Sequence, residues 1–577
     1  MARPDPHSVF DDAQPRLQRL EWRARIDFAA RAVVAEARLL FDGGGAYVDL
    51  DTRDLTIERV SDDDGARLEV ERGATHPFLG QRLRVLRPRG AVRIRYRTLP
   101  TAMALDWSNQ SVYSQCQPIF ARSLVPLPDS PSSRITVGAE LTAPRALTAL
   151  MAAAQVSRHE TGDEAVTTFE MAQPIPPYLL ALAVGDYVSR ELSSRSRVWA
   201  SPSLIEAAAG ELAPVERMMA EAERLFGPYR WERFDLLVAP PSFPYGGMEN
   251  PRLAFLSPSL LVGDRSLLSV VAHELAHAWS GNLVSAASLE HFWLNEAFTV
   301  WGERRLVAAV ADDGAETARL QAALGRRDLE RALAAFAANP ERTRLRTHLD
   351  GVDPDEALSV VPYEKGYLLL RALEANLGPA AFATLARGYF DRFAGRSITS
   401  EQFVQFAALR APGFDFEAWL AQPGVPAAVA VATEPTAPAA LPPGEELARW
   451  TPWRWRWFLD GLPRPSPLCA AIDQWFNHCA PAHPEVRTAW LTLAVDSDYA
   501  PALAQLDEAL RQGRLKYLRP IYLALALQPS TRERAGRAYR QHRERYHPIA
   551  RLQLERLLRA LGVATQEVKP LGLGRRP

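Results

Sequence analysis

The stretch Val270-Val-Ala-His273-Glu274-Leu-Ala-His277-Ala-Trp-Ser280 is an apolar segment that carries two histidines and a glutamate in the pattern H-E-x-x-H. Four residues advance a helix by about 400°, so His273 and His277 would lie nearly above one another and could bind one metal ion. Glu274 is adjacent to this pair and is suited to a different role. On its own, the five-residue pattern also arises by chance on buried helices, so a further ligand is needed to predict a zinc site.

A third ligand candidate follows at Glu296, nineteen residues after His277, in the helical pattern His291-Phe-Trp-Leu-Asn-Glu296. A catalytic zinc takes three protein ligands and leaves a position for water, whose pKa it lowers to about 7. We therefore predict one Zn²⁺ per chain, bound by His273, His277 and Glu296. Glu274 is predicted to be the base that takes a proton from this water.

The composition is that of a globular protein with a small-molecule or peptide partner. A chain of 577 residues is too long to fold around a single hydrophobic core, so we expect about three domains. A net charge of −1 gives no preference for nucleic acid or an anionic membrane surface. The chain contains no apolar stretch of about 18 residues, and its cysteines, Cys116, Cys469 and Cys479, are few and odd in number. A cytoplasmic monomer is the resulting expectation, with the cysteines as packing residues.

Three kinds of pattern follow one another along the chain. Residues 1–188 contain short period-two runs, which predict a mostly β domain. Residues 189–430 mix helical spacing with a strand-like segment at 235–256, as in an α+β domain. Residues 431–445 are rich in Pro and Ala and are predicted to form a linker. Residues 446–577 have helical patterns and end on a Leu/Arg amphipathic helix.

Taken together, these motifs resemble metallopeptidase family M1, the gluzincin aminopeptidases, in which H-E-x-x-H is followed by a glutamate after eighteen intervening residues. The likeness covers nearly the whole chain, from Tyr113-Ser-Gln-Cys-Gln117 through the zinc segment to Arg514-Leu-Lys516. It implies a multidomain α+β fold with an N-terminal β-saddle domain, a thermolysin-like catalytic domain and a C-terminal α-helical, solenoid-like domain. It also implies that the chain hydrolyses the N-terminal residue from short peptides.

The segment Tyr245-Gly246-Gly247-Met248-Glu249-Asn250 resembles the family's exopeptidase signature. The resemblance implies that the glycines let the backbone approach the substrate and that Glu249 binds its free α-amino group. A carboxylate that faces an ammonium group makes a charge-assisted contact which an internal peptide segment cannot make. Gln117 resembles the glutamine that lines the first side-chain pocket.

Further binding residues are implied by the resemblance alone. Tyr363, in Val361-Pro-Tyr363-Glu-Lys-Gly366, matches the tyrosine that donates to the oxyanion, and one such donor is worth roughly 3 kcal/mol. Arg514 and Lys516 match basic residues that take the substrate's carboxylate, and Asp355 matches an aspartate near the site. Without the family, Arg514 and Lys516 read equally well as a solvated helix face.

Two alternatives stay open at this point. One is hydrolysis of a lipid epoxide of the leukotriene type in the same site, although Leu358 stands where a second tyrosine would support it. The other is a non-catalytic peptide-binding scaffold with a structural zinc. Structural zinc sites normally have four protein ligands, whereas only three are predicted here. Two residues also depart from the family pattern: Ala297 stands where many relatives have Gly, and Glu290 stands where a relative has Asp. Both changes could alter the substrate pocket without contacting the metal.

Overall fold

The computed structural model describes residues 5–354, 359–426, 441–479 and 483–566. The described part of the chain forms two compact units. The first comprises the described residues up to Val238, Gly247–Leu256 and residues 263–426. The second comprises Ala239–Gly246, Ser257–Val262 and the described residues from 441 onward. No helix in the described ranges has both the length and the apolar character needed to cross a membrane.

The amino-terminal region of the first unit is built from strands, because its apolar residues alternate with polar ones. In Ile135–Pro144, every second residue is buried, so one face of the strand covers the core. Among the period-two runs of residues 1–188 are those at 55–60, 83–85 and 92–96, and all three lie within strands. These strands are β1 (Leu17–Asp27), β2 (Ala32–Gly44), β3 (Tyr47–Thr52), β4 (Leu55–Ser61), β5 (Val70–His76), β6 (Gly80–Leu86), β7 (Arg89–Thr98), β8 (Leu105–Trp107), β9 (Val112–Ser114), β10 (Ile135–Pro144), β11 (Thr148–Met151), β12 (Ala154–Thr161), β13 (Glu164–Ile175) and β14 (Leu182–Gly185).

Within the described residues these strands form three sheets. The largest has the order β12-β13-β10-β1-β2-β7-β4, and only its β1–β10 pair is parallel. The other two have the orders β11-β14-β9-β8 and β3-β6-β5. This β-rich amino-terminal region confirms the predicted fold class for the first part of the chain.

The following region mixes strands and helices, as predicted. Its sheet has the order β15-β16-β17-β19-β18, and a short parallel pair joins β20 to β21. The strands are β15 (Val188–Glu191), β16 (Arg197–Ala200), β17 (Asp235–Val238), β18 (Gly247–Met248), β19 (Leu253–Leu256), β20 (Val284–Ala286) and β21 (Arg396–Ile398). The helices are α1 (Ile205–Leu212), α2 (Val215–Phe226), α3 (Leu268–Ala276), α4 (Trp293–Val310), α5 (Gly314–Ala335), α6 (Val361–Leu377), α7 (Pro379–Phe393), α8 (Ser400–Ala408) and α9 (Phe416–Leu420).

Helix α4 is the centre of this region, since all of its first ten residues are buried. It packs against α3 and α6. A Cβ on Gly366 of α6 would lie 2.8 Å from the Cβ of Ala297, so a glycine is needed where these two helices meet. The close packing fixes the positions of the helices that carry the predicted site.

The second unit is helical, as the pattern beyond residue 446 predicts. Helix α13 is buried along most of its length and packs against α11 and α15. The last helix buries Leu554 and Leu558 on one face, which confirms the amphipathic pattern. The helices are α10 (Gly444–Leu447), α11 (Pro452–Gly461), α12 (Cys469–Cys479), α13 (Pro484–Asp496), α14 (Leu506–Ala509), α15 (Leu515–Leu527), α16 (Arg532–His542) and α17 (Pro548–Ala560).

The predicted linker is described only at its end. Residues 431–440 lie outside the described residues, as does the candidate Asp355. Gly444 and Glu445, the last two residues of the predicted linker, already belong to α10. Glu445 stands in the first turn, where a negative charge favours a helix, and Leu447 is buried. The domain boundaries read from the sequence stay predictions.

Candidate active site

Three predicted ligand atoms converge in the first unit. The Nε2 atoms of His273 and His277 lie 3.2 Å apart. They lie 3.5 and 3.6 Å, respectively, from Oε2 of Glu296. Ligand atoms at about 2.0–2.2 Å from a tetrahedral zinc are separated by about 3.3–3.6 Å. The triangle of atoms therefore has the dimensions of a zinc site.

Local backbone structure explains this arrangement. Helix α3 ends at Ala276, one residue before the second histidine, but His277 keeps helical torsion angles of φ −60° and ψ −20°. The two imidazoles therefore retain the four-residue offset that the sequence predicts. Glu296 stands in the first turn of α4, which packs against α3.

The outer nitrogen of each imidazole is held by an acceptor. Nδ1 of His273 lies 3.0 Å from Oε2 of Glu303, and Nδ1 of His277 lies 2.7 Å from the carbonyl oxygen of Ser280. A carbonyl oxygen only accepts, so Nδ1 of His277 carries the proton and Nε2 is left with a lone pair. These contacts orient both rings toward one point, as in carboxylate–histidine–metal arrangements.

The residues present fit a zinc ion. Oε2 of Glu296 is buried and has no hydrogen-bond partner among the described residues. A buried carboxylate oxygen without a partner is costly, and a cation would satisfy it. Two imidazole nitrogens and one carboxylate oxygen are also a donor set of catalytic zinc sites.

Glu274 is buried beside this triangle. Burial raises the pKa of its carboxyl to about 8, with Glu249 and Glu296 adding to the rise and His273 opposing it. A Cβ on Gly247 would collide with the Glu274 carboxylate. A glycine is therefore required at this position, because the backbone of β18 passes directly over Glu274.

Glu249 lies buried in the same region, and its side chain is oriented by Gln117. Nε2 of Gln117 donates to Oε1 of Glu249 at 3.1 Å. Burial raises the pKa of Glu249, while His277 lowers it and Glu296 raises it further. One oxygen atom from each of Glu249 and Glu274 and one ring nitrogen of His277 lie within 4.8 Å of one another. The carboxylate predicted to bind an amine is thus close to the predicted metal ligands.

Tyr363, near the start of α6, stands beside the ligands. Its ring is stacked on that of His273, with ring centroids 6.1 Å apart and an interplanar angle of 18°. The ring packs against a buried cluster formed by Leu289, Phe292 and Leu349. Burial raises the pKa of the Tyr363 hydroxyl, as do the charges of Glu296 and Glu249. The phenol therefore stays protonated at neutral pH and can donate a hydrogen bond.

Comparison with known proteins identifies the family. The model of the peptidase family M1 domain matches residues 212–414, and that of the peptidase M1 N-terminal domain matches residues 103–179. The chain is 33% identical to leukotriene A-4 hydrolase of Xenopus laevis, over 95% of this chain and 98% of that protein. It is 36% identical to aminopeptidase B of Mus musculus, over 72% of this chain and 69% of that protein. The chain belongs to peptidase family M1.

Two further matches concern the branch of family M1. The model of the leukotriene A4 hydrolase C-terminal domain matches residues 450–558. The structure of yeast LTA4 hydrolase in complex with bestatin superposes with a TM-score of 0.85 at 28% identity, covering 96% of this chain and 97% of that chain. The chain is therefore similar to leukotriene A4 hydrolase over nearly its whole length, and the predicted three-part architecture is confirmed. This M1 chain is an enzyme, a hydrolase of the metallopeptidase class.

The remaining predicted residues of this M1 enzyme differ in location. Met248 and Asn250 are buried in the first unit, where Sδ of Met248 accepts a hydrogen bond from Gln115 at 3.3 Å. Tyr245 and Gly246 belong to the second unit, and the Gly246 carbonyl accepts from the Ser257 amide at 2.8 Å. The exopeptidase signature thus spans the division between the two units.

Arg514 and Lys516 of the M1 enzyme lie in the second unit around a buried glutamate. Nζ of Lys516 is 2.6 Å from Oε1 of Glu485, and Arg456 is 3.3 Å from its other oxygen. Nη1 of Arg514 donates to the Tyr517 hydroxyl at 2.6 Å, and its buried Nε has no partner among the described residues. Lys516, Arg456 and Arg514 thus form a network around Glu485. The sequence analysis did not predict a role for Glu485.

Sequence analysis of the M1 chain also missed Glu303 and Asn282. Glu303 follows Glu296 by two helical turns on α4, so the spacing could have indicated that both lie on the side of α4 that meets His273. Asn282 donates from Nδ2 to the carbonyl of Glu249 at 2.7 Å. No sequence pattern links Asn282 to Glu249, because the contact depends on the folding of two loops.

Proposed function

We propose that this M1 enzyme is an aminopeptidase that removes the first residue of short peptides with a free N-terminus. The observation that carries the proposal is the buried Glu249 carboxylate, oriented by Gln117, next to the ligand triangle. An α-ammonium group would neutralise this carboxylate through a charge-assisted hydrogen bond. A peptide with a blocked amine would leave Glu249 buried without a cation, at a cost of several kcal/mol.

His273, His277 and Glu296 would hold the zinc. When bound there, zinc lowers the pKa of water and polarises the substrate carbonyl. The positive charge of a bound zinc would favour the ionised form of Glu274 and so oppose the rise in its pKa. The Glu274 carboxylate accepts a proton as the oxygen of water forms a bond to the first peptide carbonyl carbon. Tyr363 donates its hydroxyl hydrogen to the developing oxyanion. Glu274 then passes the proton to the leaving nitrogen as the C–N bond breaks.

Arg514 and Lys516 are proposed to bind the carboxylate at the far end of a short peptide. The Glu485 cluster contains three cations, Arg456, Arg514 and Lys516, and two carboxylates, Glu485 and Asp460. This composition leaves one positive charge, which supports recognition of an anion. Tripeptide amides should then have a higher KM than the matching free acids, and equal KM values would contradict this role.

The test of the main proposal is hydrolysis of Arg-, Ala-, Leu- and Pro-initiated tripeptides and their N-acetylated copies, before and after chelation. Release of only the first residue, restored by zinc and absent for acetylated copies, is expected. Cleavage of neither set by the metal-loaded protein would contradict the aminopeptidase. The identity of the preferred first residue would come from the same panel.

A second candidate is hydrolysis of a lipid epoxide in the same site. It is supported by the 33% identity to a protein named leukotriene A-4 hydrolase over 95% of this chain. The peptidase is favoured because Glu249 and Gln117 have a direct use in amine recognition. Product analysis with leukotriene A4 would distinguish the two, since the epoxide hydrolase would yield a dihydroxy acid.

Monomeric state and cytoplasmic location stay predictions. The free thiols of Cys116 and Cys469, both buried, support a reducing compartment.

A further inference from the structure

The turn at residues 280–283, which leads into β20, contacts both halves of the proposed catalytic site. At its start, the Ser280 carbonyl accepts a hydrogen bond from Nδ1 of His277 at 2.7 Å. Two residues later, Nδ2 of Asn282 donates to the backbone carbonyl of Glu249 at 2.7 Å. One short turn therefore touches a predicted metal ligand on one side and the predicted amine-binding residue on the other.

Asn282 is itself held firmly. It is almost fully buried, and its backbone amide donates to the His277 carbonyl at 3.1 Å. Its side-chain orientation is determined by its partner, because only the NH₂ group of the amide can face the Glu249 carbonyl favourably. Asn282 thus links the two residues, with its backbone bonded to His277 and its side chain bonded to Glu249.

Arg134, from the β-rich region, secures the turn. Its Nη2 donates to the Asn282 carbonyl at 2.8 Å and its Nη1 to the Ser285 hydroxyl at 2.7 Å. The turn also requires Gly281, which has a φ of +111° and whose Cβ would lie 3.0 Å from Nδ1 of His277. The hydrogen bonds from Arg134 and the backbone conformation of Gly281 thus fix the geometry of the turn.

We propose that Asn282 is a positioning residue for amine recognition, which holds Glu249 at a set separation from the metal ligands. The inference rests on the proposed aminopeptidase function. In this arrangement the ammonium group bound by Glu249 places the first peptide bond, rather than the second, at the metal. Removal of the Asn282 amide lets the Glu249 backbone shift and weakens binding of the substrate amine.

The test compares Asn282→Ala and Asn282→Asp with the wild-type enzyme, using Ala-initiated tripeptides. Asn282→Ala should raise KM about tenfold with a kcat change below about threefold, because one buried hydrogen bond is lost. Asn282→Asp should raise KM further, since a carboxylate oxygen would face the Glu249 carbonyl. Zinc content should equal that of the wild type in both variants, and a loss of zinc would overturn the proposal.

Ser196→Ala is the matched control. Ser196 is fully buried in the first unit, and its hydroxyl donates to the Phe234 carbonyl at 2.7 Å. This variant loses a buried hydrogen bond of equal length away from the site. It should retain the wild-type KM, and a tenfold rise in this variant would show that the Asn282 effect is not specific.

A double-mutant cycle with Glu249→Gln tests whether Asn282 acts through Glu249. In the Glu249→Gln background, Asn282→Ala should cause little further rise in KM. An equal rise in both backgrounds would overturn the positioning role. If Glu249→Gln alone kept the full preference for free over acetylated peptides, the proposed function would fail instead, which is a distinguishable result.

Discussion

Buried glutamates have opposite surroundings in the two compact units. In the first, Glu249 and Glu274 lie close to Glu296, and burial raises the pKa of both Glu249 and Glu274. In the second, burial alone would raise the pKa of Glu485, but Lys516, Arg456 and Arg514 outweigh it and lower this pKa to about 2. In the first unit, the negative charge of the glutamates exceeds the positive charge of the residues around them. In the second unit, Lys516, Arg456 and Arg514 supply positive charge next to Glu485.

This contrast indicates different roles. A buried carboxylate without a protein cation is costly, so such a group is kept where a ligand supplies the positive charge. In the first unit those ligands would be the metal ion and the substrate ammonium. The positive charges near Glu485 come from Lys516, Arg456 and Arg514 of the same unit. Glu485 is therefore expected to stabilise that unit. Variants can test this distinction. Replacing Glu249 or Glu274 should change catalytic activity, whereas replacing Glu485 should change the free energy of unfolding.

The largest effect is expected from Glu274→Gln. The amide cannot take a proton from water, so kcat should fall roughly 1,000-fold or more. Zinc content and thermal stability should remain close to those of the wild type, because Glu274 is not a predicted ligand. Steady-state kinetics and metal analysis would check this, and a variant with near wild-type kcat would contradict the assignment of the base.

Glu249→Gln should reduce kcat/KM for free-amine tripeptides about 100-fold, since a charge-assisted contact with the ammonium group is lost. The neutral amide should also narrow the difference between free and acetylated peptides. Glu232→Gln, which alters an exposed carboxylate paired with Arg252, serves as the control and should behave as the wild type. An unchanged free-to-acetylated ratio in Glu249→Gln would show that the amine is bound elsewhere.

Glu485→Gln should act on stability instead. The pKa of Glu485 is about 2 in the folded protein, against an ordinary value of 4.5. The difference corresponds to about 3 kcal/mol of stability, which is present above pH 4.5 and is lost as the pH falls toward 2. Urea unfolding of Glu485→Gln should therefore show a deficit of about 3 kcal/mol at pH 7 that shrinks at pH 3.

The matched control for this pH test is Glu508→Gln in the same unit. Glu508 is largely exposed and pairs with Arg487 at 2.8 Å. Its replacement should cost less than about 1 kcal/mol at either pH, because exposed ion pairs contribute little. A deficit in Glu485→Gln that did not depend on pH would mean that its charge is not what stabilises the unit.

The sequence predicts that His273 and His277 lie together, because their spacing is set by helical geometry. His273 and His277 differ by one helical turn, and local structure alone brings them together. Glu485 and Lys516 are 31 residues apart on two helices, and their contact depends on tertiary packing that has no local pattern. The same holds for Asn282 and Glu249. Contacts within one helix thus follow from sequence spacing. Glu296 lies on another helix and was predicted because a catalytic zinc needs a third ligand, whereas Asn282 and Glu485 match no such pattern and are found only in the folded structure.

The smallest effect among these carboxylates is expected from Glu303→Gln. Glu303 accepts from Nδ1 of His273 and contacts no predicted substrate atom, so it should influence the metal through the imidazole. Replacing such a partner typically weakens metal binding 10–100-fold, and zinc competition with a chelator would measure this. At saturating zinc, kcat should recover to within about threefold of the wild type. If kcat stayed low with the site filled, Glu303 would belong with Glu274 among the residues that act on the reaction itself, and the division between metal-holding and proton-transferring carboxylates would need to be redrawn.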